Sequence, residues 1–197
     1  VRKAAVLGAG VMGAQIAAHL ANANVDVLLF ELPAKEGDPN GNVIKAIEKL
    51  RKLEPSPLAV ARKAAMIVPA NYDQHLELLR QCDVVIEAIS ERMDWKTDLY
   101  RKVAPHLGEN SIFASNTSGL SINQLAAAFP ENLRHRFCGV HFFNPPRYMH
   151  LVELIACRET NPVILDDLET FLVTTLGKGV IPAKNTPNFI ANLWCVF

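Results

Sequence analysis

A glycine-rich turn near the N-terminus constrains the fold of this chain more than any other feature of its sequence: Gly8-Ala9-Gly10-Val11-Met12-Gly13. The turn directly follows the apolar run Lys3–Leu7 and opens an amphipathic stretch that begins at Met12 and ends near Asn24. Glycines at this spacing allow a tight turn and a close approach between the strand and the helix that it joins. The pattern therefore predicts a strand–turn–helix unit, from which parallel α/β sheets are built.

Apolar runs and helical patterns alternate along the rest of the chain, and the last helical pattern predicts a helix at residues 166–176. The apolar runs predict strands at residues 3–7, 25–30, 65–69, 83–87, 111–115, 137–143, 150–155 and 179–184. Runs without polar alternation suit strands that are buried on both faces. We therefore expect an α/β, Rossmann-like fold with a doubly wound, mostly parallel sheet.

The domain organisation follows from the same pattern. Residues 33–64 begin with a loop rich in Pro, Gly, Asp and Asn and continue with two helical segments, the second expected at residues 58–65, so they predict a helical insertion between the second and third strands. We assign residues 1–184 to one Rossmann-like domain and residues 185–197 to a linker with the start of a further segment. The chain begins without methionine and ends on an apolar stretch, and we expect it to be a fragment of a longer protein.

The glycine turn also predicts dinucleotide binding, because it follows a strand, opens a helix and is accompanied by an acidic residue about 20 positions later. A helix N-terminus attracts a diphosphate through its free N–H groups and its partial positive charge. Glu31 ends the second predicted strand, where it can accept hydrogen bonds from both ribose hydroxyls and would repel a 2′-phosphate. The sequence therefore favours NAD over NADP, with Gly8, Gly10, Val11, Met12, Gly13 and Glu31 at the cofactor.

A histidine and a glutamate occupy two neighbouring apolar runs near the C-terminal end of the predicted sheet. His141 lies in Gly139–Pro146, and Glu153 interrupts Leu151–Ile155. A histidine that moves protons needs a fixed tautomer and a partner for its charged form, which a glutamate on an adjacent strand supplies. The alternative is that Glu153 points into solvent, because side chains alternate between the two faces of a strand and one of these faces can be exposed. The five other histidines are interpreted as structural.

Two further polar segments follow predicted strands, where ligands bind in open α/β sheets. Glu87–Glu91 is followed one turn later by Lys96, and Ser115–Gly119 ends the next strand. Each has an alternative explanation. Glu91 and Lys96 are also explained by an ion pair on the solvated surface, and the second segment is also explained by a helix-capping turn.

The overall composition excludes several functional classes. Twenty basic residues balance twenty acidic residues, which gives no support for a nucleic-acid or membrane partner. The four cysteines are widely spaced without a CxxC pair, so we expect free thiols in a reducing compartment and no metal site. Neither a signal peptide nor a long apolar run is present, and we expect a cytoplasmic protein.

Taken together, the motifs resemble the NAD-binding domain of L-3-hydroxyacyl-CoA dehydrogenase, a family of fatty-acid β-oxidation, and look most like its bacterial long-chain type. Six segments carry the resemblance, in the order of the family and across essentially the whole chain: Gly8–Gly13, Glu87–Glu91, Ser115–Ser118, Gly139–Pro145, Leu151–Glu153 and Thr186–Asn192.

The resemblance implies a reaction and its catalytic residues. His141 would be the general base that takes the 3-hydroxyl proton while hydride passes to NAD, and Glu153 would orient it. Ser118 would contact the reacting oxygen of the acyl-CoA substrate, and Asn192 would help to position that substrate.

Further residues would bind the cofactor. Asn144 would hold the nicotinamide and the reacting oxygen. Glu91 and Lys96 would line the side of the nicotinamide ribose, with Ala88 close to the cofactor.

The sequence departs from the family in ways that leave alternatives open. Glu31 stands where the family usually has aspartate, and Leu193 stands where it has arginine. Family members continue into a C-terminal helical domain that forms a homodimer, and this chain lacks that domain. The alternatives are an NAD-dependent dehydrogenase of a small hydroxy acid or sugar acid, and an NAD-binding fragment without turnover.

Overall fold

The computed structural model describes residues 1–186 and Phe189 and contains one eight-stranded sheet. The strands follow one another across it in the order β3-β2-β1-β4-β5-β6-β7-β8. Only the pairing of β6 with β7 is antiparallel. The strands are β1 (Lys3–Leu7), β2 (Asp26–Glu31), β3 (Ile67–Asn71), β4 (Val84–Glu87), β5 (Ile112–Ser115), β6 (Phe137–Phe142), β7 (Leu151–Ala156) and β8 (Gly179–Ala183).

Helices cover both faces of the sheet. They are α1 (Val11–Asn22), α2 (Gly41–Leu50), α3 (Met93–Val103), α4 (Ile122–Ala127) and α5 (Pro162–Thr174). Alternate side chains of one strand enter different cores: Val6 belongs to the core that contains buried residues of α1, α2 and α5, whereas Leu7 belongs to the core that contains buried residues of α3 and α4. Burial on both faces explains the continuous apolar runs of the strands, and the predicted doubly wound, mostly parallel α/β fold is confirmed.

The antiparallel pair β6–β7 departs from the parallel arrangement for a local reason. The two strands are joined by a short segment that contains Pro145 and Pro146. A connection of this length reverses the chain, whereas a parallel pair needs a long crossover. The reversal places His141 directly opposite Glu153 in the strand register.

Some local predictions were wrong. The predicted helix at residues 58–65 is a short 3₁₀ turn, Ala61–Met66. Strand β3 begins two residues later than expected and contains Pro69, which is tolerated because β3 is the edge of the sheet. Helix α5 begins at Pro162 rather than at residue 166, because Asn161 caps it and proline suits the first helical position.

None of the helices in the described part of the chain has the length and apolarity needed to cross a membrane.

A largely buried histidine lies on the C-terminal half of α1. The Nε2 atom of His19 is 3.2 Å from the carbonyl oxygen of Leu176, which can only accept a hydrogen bond, so this nitrogen carries the proton. The Nδ1 atom is buried with no hydrogen-bond partner among the described residues. Burial, together with the nearby positive charge of Lys178, lowers the pKa of His19 from the ordinary value to about 4.

The lowered pKa of His19 predicts a loss of stability in mild acid. The unfolded chain binds a proton near the ordinary histidine pKa of about 6.5, whereas the folded protein binds it only near pH 4. The contribution of His19 to the free energy of unfolding is therefore fully present above about pH 6.5 and falls as the pH decreases. The loss from this group by pH 5 is about 1 to 2 kcal/mol. Urea unfolding at pH 7.5 and pH 5 should show a smaller pH effect in His19→Gln than in the wild type. The control His106→Gln should keep the wild-type difference.

Candidate active site

The carboxyl ends of β1, β2, β4, β5 and β6 open into a cavity of about 810 Å³. Its lining includes most of the residues that the sequence predicts to bind or react: Gly8, Gly10, Val11, Met12, Glu31, Ala88, Glu91, Ser118, His141 and Asn144. The position at the strand ends is the place where open α/β sheets bind their ligands.

The glycine turn forms one wall of the cavity, and each of its glycines meets a different constraint. Gly8 has a φ of +103°, which favours glycine, and an added Cβ would lie 2.9 Å from the Ala88 carbonyl oxygen. A Cβ on Gly13 would lie 1.8 Å from the Gly8 carbonyl oxygen, so the helix and the turn are in direct contact. Gly10 has no neighbouring atom within 4 Å of such a Cβ, and its open side faces the cavity.

Glu31 links the end of β2 to the same turn. One carboxylate oxygen accepts a hydrogen bond from the Ala9 N–H at 2.9 Å, and the other accepts one from the Leu32 N–H at 2.8 Å. Each oxygen has a second lone pair that can accept from a ligand hydroxyl. Glu31 thus fixes the turn and presents an acceptor to the cavity.

These residues fit a dinucleotide. No side chain caps the start of α1, so the first N–H groups of the helix remain available to an anion. Gly10 leaves open space beside them, and Glu31 lies at the end of the next strand. The turn can therefore hold a diphosphate while Glu31 accepts from a ribose.

A buried carboxylate supports the neighbouring strand ends. Glu87 has no exposed surface and accepts four hydrogen bonds within 2.8 Å. The donors are the Lys96 ammonium, the Tyr100 hydroxyl, the Ser115 hydroxyl and the Ile89 N–H. Burial and the charge of Glu87 raise the pKa of Tyr100 well above its usual range, so Tyr100 remains a donor.

Lys96 is placed differently from the expectation that it lines the nicotinamide ribose side. Its side chain is fully buried, and its ammonium lies 2.6 Å from the Glu87 carboxylate. The sequence suggested either a place beside the ligand or a solvated surface pair with Glu91. The buried ion pair with Glu87 differs from both. Sequence reasoning missed Glu87 as its partner, because a glutamate that ends a strand looks the same whether its partner is a ligand or a lysine. A direct contact of Lys96 with the cofactor stays a prediction.

Glu91 organises the loop after β5. Its carboxylate accepts a hydrogen bond from the Thr117 hydroxyl at 2.6 Å and another from the Ser118 N–H at 3.1 Å. Asn116, in the same loop, accepts a hydrogen bond from the Phe142 N–H at 2.9 Å. The loop is therefore more than a capping turn, because it connects the Glu91 segment to the strand that carries His141.

His141 lines the cavity, and its side chain forms a hydrogen-bonded pair with Glu153. The Nδ1 atom of His141 lies 2.7 Å from a Glu153 carboxylate oxygen. Glu153 is 1% exposed, so the alternative of a solvated glutamate is excluded. A carboxylate only accepts, so Nδ1 carries the proton and Nε2 keeps its lone pair. The rings of Phe143 and Phe189 lie 4.5 and 6.0 Å from the imidazole and shield it from water.

Asn144, at the turn after β6, is held by a residue that the sequence did not suggest. Its Oδ1 atom is 3.2 Å from Nε2 of Gln15, which lies on α1. The two residues are far apart in the sequence, and Gln15 stands in a helix whose pattern indicates only packing. Asn192, which we expected to position the substrate, lies outside the described residues.

Comparison with known proteins identifies the family. Residues 3–186 match the model of the family "3-hydroxyacyl-CoA dehydrogenase, NAD binding domain". The chain belongs to this family. The predicted family and the predicted cofactor, NAD, are thereby confirmed.

Relatives in this dehydrogenase family align with nearly the whole chain. A putative fatty acid oxidation complex trifunctional enzyme of Rickettsia felis is 43% identical over 98% of this chain and 27% of its own length. A probable 3-hydroxyacyl-CoA dehydrogenase of Deinococcus radiodurans is 41% identical over 98% of this chain and 56% of its own length. The chain thus spans about a quarter to about half of these relatives.

Solved structures of the 3-hydroxyacyl-CoA dehydrogenase family share the fold. The crystal structure of (S)-3-hydroxybutyryl-CoA dehydrogenase from Ralstonia eutropha superposes with a TM-score of 0.81 at 32% identity. The match covers 98% of this chain and 67% of that one.

The glycine turn predicts a separation between folding and cofactor binding. Gly13→Ala should destabilise the protein by about 3 kcal/mol or more, because its Cβ would overlap a backbone carbonyl. Gly10→Ala should leave the melting temperature nearly unchanged but weaken NADH binding at least about tenfold, because a methyl group would take space at the diphosphate site. Thermal melting and NADH fluorescence titration would measure the two effects.

The control is Gly41→Ala at the start of α2, where an added Cβ makes only an ordinary contact at 3.6 Å. It should change neither property. Wild-type NADH affinity in Gly10→Ala would contradict the placement of the diphosphate.

Proposed function

We propose that the chain catalyses the NAD-dependent oxidation of the 3-hydroxyl of an L-3-hydroxyacyl-CoA to the 3-ketoacyl-CoA, as a step of fatty-acid oxidation. The observation that carries the proposal is the 2.7 Å contact between His141 and Glu153 at the floor of the cavity that the glycine turn also lines. A base with a fixed tautomer beside a dinucleotide site suits the removal of a proton and a hydride from one alcohol carbon.

The two protein groups divide the proton chemistry between them. The Nε2 lone pair of His141 accepts the hydroxyl proton as the C3–O bond becomes a carbonyl. The glycine turn and Glu31 would hold NAD, which would supply the hydride acceptor for C3. Glu153 keeps the proton on Nδ1 and stabilises the imidazolium once Nε2 is protonated. In the reverse direction the imidazolium returns the proton to the oxygen.

The remaining residues are proposed to bind and orient. Ser118 contacts the reacting oxygen, and Asn144 contacts this oxygen and the nicotinamide. Asn192 helps to place the acyl-CoA substrate. Ala88, Glu91 and Lys96 belong to the nicotinamide ribose side.

At the other end of the cofactor, Glu31 accepts from the ribose of the adenosine half. The backbone from Gly8 to Gly13, with Val11 and Met12 at the start of α1, binds the diphosphate. Exposed Val11 and half-exposed Met12 offer apolar surface beside it.

Several larger features belong to the proposal as well. Residues 1–184 form the NAD-binding domain with its insertion at residues 33–64, and residues 185–197 form the linker and the start of a C-terminal helical domain. The complete protein is a homodimer in the cytoplasm and has no nucleic-acid or membrane partner. The names of the relatives, which refer to 3-hydroxyacyl-CoA and to fatty acid oxidation, support the substrate class.

The direct experiment compares acetoacetyl-CoA with acetoacetate as oxidants of NADH, each with the 197-residue chain. We expect oxidation with the thioester and at most slow oxidation with the free acid. Faster reaction with acetoacetate would favour a dehydrogenase of small hydroxy acids. NADH binding without turnover of either compound would favour a cofactor-binding fragment that lacks the rest of the substrate site.

The role of His141 is tested by His141→Gln. Turnover with acetoacetyl-CoA should fall about a hundredfold or more, because glutamine cannot exchange the proton. The dissociation constant of NADH should stay within about twofold of the wild type, because the glycine turn and Glu31 are unchanged. Steady-state kinetics and fluorescence titration give the two values. His106→Gln, outside the cavity, is the control. Undiminished turnover in His141→Gln would exclude this residue as the base.

A further inference from the structure

A glutamine on α1 makes two hydrogen bonds that together fix the orientation of a side chain in the cavity. The Nε2 atom of Gln15 donates to the Val11 carbonyl oxygen at 3.1 Å and to Asn144 Oδ1 at 3.2 Å. Gln15 is buried, whereas Asn144 is exposed and lines the cavity beside His141.

The Val11 carbonyl determines which atoms face each other. A backbone carbonyl only accepts, so the end of the Gln15 amide that touches it must be the NH₂ group. The second hydrogen of that NH₂ group then requires an acceptor, which means that Asn144 turns its oxygen towards α1. The NH₂ group of Asn144 is consequently directed away from Gln15 and towards the cavity.

We infer that Gln15 is a positioning residue, which holds the Asn144 amide in the one orientation that offers a hydrogen-bond donor to a carbonyl oxygen in the cavity. Without Gln15 the Asn144 amide has two orientations of nearly equal size and shape, one presenting a donor and the other an acceptor. This inference rests on the proposed function, because it needs a ligand with a carbonyl oxygen at Asn144.

Two carbonyl oxygens suit such a donor. One belongs to the carboxamide of the nicotinamide ring, and the other is the 3-oxygen of the acyl chain. They share the same chemistry and differ in when they are present. The cofactor oxygen is bound in the absence of acyl-CoA, whereas the substrate oxygen contributes only to turnover and to the KM of the acyl-CoA.

The experiment compares two substitutions that keep the shape of Gln15. Glutamate at this position accepts but does not donate when ionised, so it repels the Val11 carbonyl and attracts the Asn144 NH₂ group away from the cavity. Gln15→Glu should lower kcat/KM for acetoacetyl-CoA about tenfold or more at pH 8. Methionine neither donates nor accepts, so Gln15→Met should lower it only a few-fold.

The pH profile separates hydrogen-bond direction from packing. Burial at position 15 would raise the pKa of a glutamate there, and its protonated form regains one donor, so the deficit of Gln15→Glu relative to the wild type should shrink at pH 5 to 6. The deficit of Gln15→Met should not depend on pH. Gln124→Glu, on an exposed face of α4, controls for the added charge and should match the wild type throughout.

A double-mutant cycle tests whether Gln15 acts through Asn144. The variants are Gln15→Met, Asn144→Ala and the two combined. If the effect of Gln15 passes through Asn144, removing Gln15 should cost less than twofold once Asn144 is absent. Thermal melting establishes that each variant is folded, and if Gln15→Glu fails to fold, Gln15→Met and the cycle decide the question.

NADH titration without acyl-CoA identifies the acceptor. A raised dissociation constant in Gln15→Met assigns the donor to the nicotinamide carboxamide, and an unchanged one with a raised KM or lowered kcat assigns it to the acyl oxygen. Equal losses in both substitutions, or full additivity with Asn144→Ala, would overturn the inference. Wild-type protein that binds no NADH would instead refute the proposed function.

Discussion

The cavity depends on one buried carboxylate at the centre of the sheet. Glu87 ends β4, between the strand that leads into the glycine turn and the strand that leads into the Ser118 loop. A buried ion is costly unless it is paired and its lone pairs are used, and Glu87 meets both conditions with Lys96 and three neutral donors. One donor lies on the loop after β4, one on β5 and two on α3. The Glu87–Lys96 ion pair therefore holds in place the backbone that lines the cavity, and it adds no net charge beneath the cavity.

The proposed catalytic pair is positioned by strand register rather than by a loop. His141 and Glu153 lie opposite each other on β6 and β7, and this brings Nδ1 within 2.7 Å of the carboxylate. A shift of one residue in register would send Glu153 to the other face of the sheet. Buried neighbours on both faces of β7, such as Val152 in one core and Ile155 in the other, oppose such a shift because each would have to leave its own core. Packing energy thus maintains the distance between the His141 and Glu153 side chains.

The extent to which the sequence predicts this arrangement depends on the range of the interactions involved. The strands and the glycine turn are marked by patterns among residues that are close in the sequence, and both were predictable. The His141–Glu153 pair was predictable because a short turn limits where β7 can lie. Partners such as Lys96 with Glu87 or Gln15 with Asn144 depend on how separate elements pack, and no local pattern encodes them. The 3₁₀ turn at Ala61–Met66 was missed because its composition also suits an α-helix.

The two buried glutamates of the site have different physical roles. Glu87 faces a lysine, so its charge is balanced whatever happens in the cavity. Glu153 faces a histidine, which becomes positive only when Nε2 takes up a proton. In the proposed reaction, the attraction between Glu153 and His141 therefore grows as the proton leaves the substrate and is weaker before the reaction begins. An interaction that strengthens along the reaction lowers the barrier, whereas one that is constant only holds the structure together.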